Sequence, residues 1–122
     1  MQIKPDAEQP IFLQIAQGIT DGILCGAFPE ESRVPSITEF SQAYRINPVT
    51  ALKGVNLLVE QGILYKKRGL GMFVAAGAVE RLRDQRREQF TADFVTPLIE
   101  EAKRLSLTRD EVITMLEKGL DQ

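Results

Sequence analysis

Apolar residues recur at helical spacing over residues 10–26, where Phe12, Ile15, Ala16, Ile19 and Ile23 fall three and four positions apart. This spacing predicts an amphipathic helix that stops at Gly26. A loop with Pro29 and Pro35 follows. Ser36-Ile37-Thr38-Glu39 then reads as a capping box, with the serine oxygen accepting from the amide three residues on and the glutamate reaching back to the serine amide. It predicts a short helix through about Ala43, with Ile37, Phe40 and Ala43 turned inward. Tyr44-Arg45-Ile46 makes a tight connection. Asn47-Pro48 restarts the chain, because asparagine is a good N-cap and proline loses nothing in the first helical position. The helix over 47–61 carries Ala51, Val55, Leu58 and Val59 on one side, and Gly62 ends it.

Beyond Gly62 the pattern shortens. Ile63-Leu64-Tyr65-Lys66 and Met72-Phe73-Val74-Ala75 read as two strands joined by a turn that holds Gly69 and Gly71, a β-hairpin. A short helix, a tight turn and a second helix make a helix-turn-helix unit. With a basic hairpin directly after it, the unit becomes a winged helix-turn-helix, and helix 47–61 becomes its recognition helix.

Residues 78–105 predict a further helix with a broken apolar stripe of Val79, Leu82, Phe90, Phe94, Leu98, Ala102 and Leu105. Pro97 removes one backbone bond from it, so a kink or restart is expected at Thr96-Pro97. Thr108-Arg109-Asp110-Glu111 is a second capping box, with Leu107 and Val112 placed for a hydrophobic staple. It opens a last helix over 109–120, with Val112, Ile113, Leu116 and Leu120 inward. The expected fold is mainly α with a small β-hairpin. Residues 1–75 are a winged helix-turn-helix domain and residues 76–122 a C-terminal helical pair.

Composition removes several function classes. The 122 residues include no histidine and one cysteine, Cys25. Serine or cysteine catalysis through histidine, an internal disulfide and a multi-cysteine zinc site are all excluded. No phosphate-binding loop or nucleophile–base pair is visible, so neither an enzyme nor a cofactor or metal is expected. No apolar run reaches the ~20 residues of a membrane span, and the start lacks a signal-peptide core, which together predict a cytoplasmic protein without membrane contact. Cys25 reads as a small packed residue. Arg81, Arg83, Arg86 and Arg87 interleave with Glu80, Asp84 and Glu88 and read as a salt-bridged helix surface.

Charge is uneven. The net charge is −2, but residues 45–68 hold Arg45, Lys53, Lys66, Lys67 and Arg68 against Glu60 alone, net +4. A basic block on an acidic chain is an electrostatic footprint for nucleic acid if folding gathers it on one face.

Several strings, in order, are similar to the GntR family of bacterial transcription regulators. They are Pro10-Ile11-Phe12-Leu13-Gln14-Ile15, Val34-Pro35-Ser36, Asn47-Pro48-Val49-Thr50, Glu60-Gln61-Gly62-Ile63-Leu64-Tyr65 and Gly69-Leu70-Gly71-Met72-Phe73-Val74. The resemblance covers residues 10–75, and the two-helix tail resembles the YtrA-like subfamily, whose C-terminal part is a dimerising helical pair. It implies a transcriptional regulator, a repressor, that binds an inverted-repeat operator in double-stranded DNA as a homodimer. Departures from the family pattern are Glu31 where glycine is frequent, Thr38 where arginine is usual, and Leu70 at a wing tip that is usually polar. Arginine readout of guanine is therefore sparse.

On this fold Thr50 and Asn47 lie where a recognition helix meets base edges, and Asn47 has the second reading of a plain cap. For Val49 a thymine-methyl contact and plain surface are both open. Lys53, Arg45 and Thr38 are phosphate candidates. Lys66, Lys67, Arg68 and Gly69 are candidates for backbone or minor-groove contact. For dimerisation the candidates are Phe90, Phe94, Leu98, Ala102, Leu105, Val112, Ile113 and Leu116, more apolar surface than a lone helical pair hides. A small-molecule effector is left open, with its pocket expected between the tail helices or at their junction with the winged module. The alternative function is a winged-helix module that binds protein without binding DNA.

Overall fold

The computed structural model describes residues 1–122. Its elements run in the expected order: α1 (Ile11–Leu24), α2 (Ile37–Tyr44), α3 (Pro48–Glu60), β1 (Leu64–Lys67), β2 (Gly71–Val74), α4 (Ala78–Phe90), a π-helical turn (Thr91–Val95), α5 (Thr96–Arg104) and α6 (Arg109–Leu120). Both capping boxes form. The Glu39 N–H donates to Ser36 Oγ at 3.1 Å, and the Glu111 N–H donates to Thr108 Oγ1 at the same distance. Each strand lies one residue from its expected position. In the hairpin Leu64 faces Val74, Tyr65 faces Phe73, Lys66 faces Met72 and Lys67 faces Gly71.

The chain divides into two compact units, Met1–Asp84 and Gln85–Gln122. In the first, Ile15, Ile19 and Ile23 of α1 join Phe40 of α2, Ala51, Val55 and Leu58 of α3, and Leu64 and Val74 of the hairpin in one core. Ala78 and Leu82 of α4 complete that core, so the unit extends beyond the end of the hairpin. Gly54 explains how α3 lies so close to α1: a Cβ there would meet the Phe12 carbonyl oxygen at 2.6 Å. Backbone of 31–34 runs along the free edge of β2, with Val34 N–H to Met72 O at 2.9 Å and Glu31 N–H to Val74 O at 2.8 Å. The carboxamide of Gln14 ties the N-terminal arm to α1, accepting from Lys4 N–H at 2.7 Å and donating to the carbonyls of Lys4 and Gln9 at 2.9 Å.

The second unit holds the rest of α4, the π turn, α5 and α6. The expected restart occurs: α5 begins at Thr96, and the ladder widens over Thr91–Val95 just before Pro97, which has no N–H to give. No residue of this unit is fully buried, and Val95, Ala102, Leu107 and Val112 are half-buried.

Some expectations are corrected. Ala43 is exposed, because α2 buries only Phe40 fully. Cys25 is exposed as well. It caps α1 beyond its last buried residue, Ile23, and its Sγ lies 3.5 Å from the Gly22 carbonyl. Ile113, Leu116 and Leu120 are exposed rather than inward, because α5 and α6 offer too little surface to cover them.

Candidate nucleic-acid interface

The Asn47 side chain accepts from the Val49 N–H at 2.8 Å, and Pro48 opens α3. Its cap role is realised, and its carboxamide oxygen is used in it. The cap places the first turns of α3 with Val49 exposed at 73% and Thr50 half-buried. Leu52 and Lys53 continue the exposed side, opposite buried Ala51 and Val55. Lys53 is not simply solvated: its Nζ sits 4.1 Å from the centre of the Phe12 ring. That cation–π contact holds the ammonium against α1, and sequence spacing does not reveal it.

Thr38 is exposed in the first turn of α2, next to its cap. Arg45 caps the other end of α2 in the left-handed region, at φ 53°, and its side chain is exposed in the turn that leads to α3. Tyr44 stacks on Phe40 with ring centres 6.4 Å apart, which makes it part of the packing of α2.

The three cations of the hairpin do not form one patch. Strand alternation puts Lys66 on the face of Met72, its partner across the strands, and Lys67 on the face of Tyr65 and Phe73. The Lys67 ammonium rests 4.4 Å from the Phe73 ring centre and 5.8 Å from that of Tyr65. Arg68 and Gly69 occupy the exposed turn.

Acidic groups organise the surroundings. Glu31 takes a left-handed backbone, φ 68°, where the family pattern favours glycine. Its carboxylate accepts from the Tyr65 hydroxyl at 2.6 Å, a bond that holds the phenol pKa above its ordinary value. Glu39 pairs with Arg33 at 3.3 Å, and the Ser36 amide and hydroxyl keep its carboxyl pKa below the usual range. Two residues outside the expected site shape its frame. The Glu30 carboxylate accepts from the N–H groups of Gly77 and Val79, at 2.8 and 3.1 Å, at the start of α4. Arg81, expected in a salt-bridged surface, instead donates to the carbonyls of Gln61 and Gly62 at the end of α3. An unpaired helix terminus is the only sequence signal for such partners.

No group of three or more His, Cys, Asp or Glu side chains is placed to hold a metal. No helix is long and apolar enough to cross a membrane. A cavity of about 560 Å³ lies beside α1 and α2, lined by Gly18, Phe28, Phe40 and Tyr44 among others. In the second unit Phe90, Phe94, Leu98, Leu105, Ile113 and Leu116 are exposed, with the Phe90 and Phe94 rings 5.7 Å apart. Ala102 and Val112 are half-buried.

No protein-family model matches the chain. The HTH-type transcriptional repressor YtrA of Bacillus subtilis is 31% identical over 78 residues, which are 64% of this chain and 60% of that relative. The crystal structure of AraR(DBD) in complex with operator ORX1 matches 62% of this chain and 93% of its own, at 30% identity and TM-score 0.55. A crystallised GntR-family transcriptional regulator from Bacteroides thetaiotaomicron matches at 34% identity and TM-score 0.74. The match takes in 91% of this chain and 96% of that one. These relatives are transcriptional regulators, not enzymes. Identity of 34% along nearly the whole of both chains, on a shared winged helix-turn-helix with a short helical tail, makes this chain a member of the GntR family of transcriptional regulators.

Proposed function

We propose that the chain is a sequence-specific, DNA-binding repressor that acts in the cytoplasm as a homodimer on an inverted-repeat operator. The observation that carries this reading is the start of α3, where Asn47 caps a helix whose exposed Val49, half-buried Thr50 and exposed Lys53 lie in its first two turns. A recognition helix presents such residues to the major groove. The likeness to AraR(DBD), crystallised on its operator, supports the same use here. The name of the YtrA relative supports repression.

In this reading residues 1–75 form the DNA-binding domain. Thr50 and Val49 read base edges, while Asn47 sets the start of the helix that presents them. Thr38, Arg45 and Lys53 meet phosphates, and Lys66, Lys67, Arg68 and Gly69 meet the backbone or the minor groove. Residues 76–122 form the dimerisation region. Phe90, Phe94, Leu98, Ala102, Leu105, Val112, Ile113 and Leu116 supply its contact, because an apolar face this open on a chain with 26% charged residues favours a partner. A self-complementary contact gives two-fold symmetry, and two-fold symmetry calls for an inverted repeat.

The test is a gel shift and footprint of the full chain on the DNA upstream of its own coding sequence, repeated across a salt series. The expected result is a protected inverted repeat whose affinity falls steeply with salt. An affinity for duplex DNA that is absent or independent of salt overturns the reading.

A further inference from the structure

The turn of the hairpin, Arg68-Gly69-Leu70, carries one large apolar side chain, that of Leu70, with 64% of its surface exposed. The Leu70 N–H donates to the Lys67 carbonyl at 2.9 Å, and Gly69, third in that turn, has φ +80°, the arrangement of a type II turn. Gly71 follows at φ +116°. Neither neighbour has a side chain; nothing lies within 4 Å of the place where a Cβ on Gly69 would be, and Arg33 Cδ lies 3.5 Å from that of a Cβ on Gly71. Leu70 is thus the one exposed apolar side chain between two glycines.

A single exposed leucine means little by itself. This one shares its turn with Arg68, at the end of a strand that carries Lys66 and Lys67, with the Lys67 ammonium held over two aromatic rings. An apolar side chain in the turn of a cationic hairpin matches the minor groove, about 6 Å wide between two rows of phosphates. Cations of the hairpin reach the phosphates while the leucine leaves water between the sugar walls. Apolar side chains that enter there partly unstack a base step and bend the duplex. Pyrimidine–purine steps open most readily.

Building on the DNA-binding reading above, we propose that Leu70 is a specificity-determining wedge. It enters the minor groove beside the site of α3 and selects a pyrimidine–purine step by deformability rather than by hydrogen bonding.

The test uses the full-length wild type, Leu70→Ser and Leu70→Met, each selecting from a pool of randomised duplex DNA. Bending of the wild-type-selected duplex is then read by end-to-end energy transfer. The wild type should enrich a pyrimidine–purine step at a fixed distance from the core bases, and replacing that step should weaken binding at least about five-fold. Leu70→Ser should lose both that discrimination and the bend while keeping the core preference, and Leu70→Met should retain both. A wild type that enriches core bases without such a step overturns the wedge and leaves the DNA-binding reading standing. So does a serine variant with unchanged step preference and bend. A wild type with no salt-dependent duplex binding overturns both.

Discussion

Arg81 Nη1 lies 3.2 Å from the carbonyl oxygen of Gln61 and binds the end of α3 from the first turn of α4. The last carbonyls of a helix have no partner inside it, and a cation there also meets the negative end of the helix dipole. Gly62 makes this approach possible. It has φ +75°, and a Cβ on it would collide with the same guanidinium. Gly62→Ala should lower stability by about 1–2 kcal/mol from the left-handed backbone alone, with the collision adding to it. Adding Arg81→Ala should relieve the collision, so that the double variant loses less than the sum of the single ones. Thermal unfolding of the four proteins checks this, and additive losses would separate the two residues.

Glu30 makes stability depend on pH. The N–H groups of Gly77 and Val79 hold its carboxyl pKa below the ordinary 4.5. A depressed folded pKa contributes stability that is present above the unfolded value and is lost as pH falls through the folded one. Glu39, held down by Ser36, acts in the same direction. Melting temperature should therefore fall as pH drops below about 4.5, and Glu30→Gln should fall less steeply than wild type over that limb. Parallel acid limbs would show that Glu30 contributes nothing to the loss.

Lys53 and Arg68 are proposed phosphate contacts, and Lys53 is already ordered by the Phe12 ring. Each alanine substitution should weaken binding to all duplexes alike and lower the salt slope by about one. Binding titrations over a salt series measure it. An unchanged slope in both variants removes the pair from the interface.

Thr50 should behave differently. Thr50→Ala should change preference at one base pair by roughly 1–3 kcal/mol, more than it changes non-specific affinity. Competition titrations with single-base operator variants resolve the two effects. A uniform loss would make Thr50 a positioning residue.

Phe94 is 66% exposed and packs on Phe90 within its own chain. Phe94→Asp should give a monomer with an intact winged fold, and its operator affinity should fall by orders of magnitude as the second module is lost. Sedimentation analysis together with a binding titration tests this. A wild type that is monomeric at micromolar concentration would contradict it.

Local features of this chain were legible in its sequence. Ser36 with Glu39, Asn47 with Val49, and Thr108 with Glu111 close over two or three residues, so spacing alone located the starts of α2, α3 and α6. The spacing of Ile15, Ile19 and Ile23 likewise located the buried face of α1, and Pro97 the break before α5. Together with the ordered strings over 10–75, these were enough for the fold class and the family. Other features required the folded chain. Glu30 meets Gly77 across 47 positions, Arg81 meets Gln61 across 20, and Tyr65 meets Glu31 across 34. Lys53 finds the Phe12 ring on another helix, and strand alternation sends Lys66 and Lys67 to opposite faces of the wing. Helical and strand periods state which side of an element is apolar, but not which side chain of another element will stand opposite it. That pairing depends on how the elements dock, and docking is decided by the packing of the whole core.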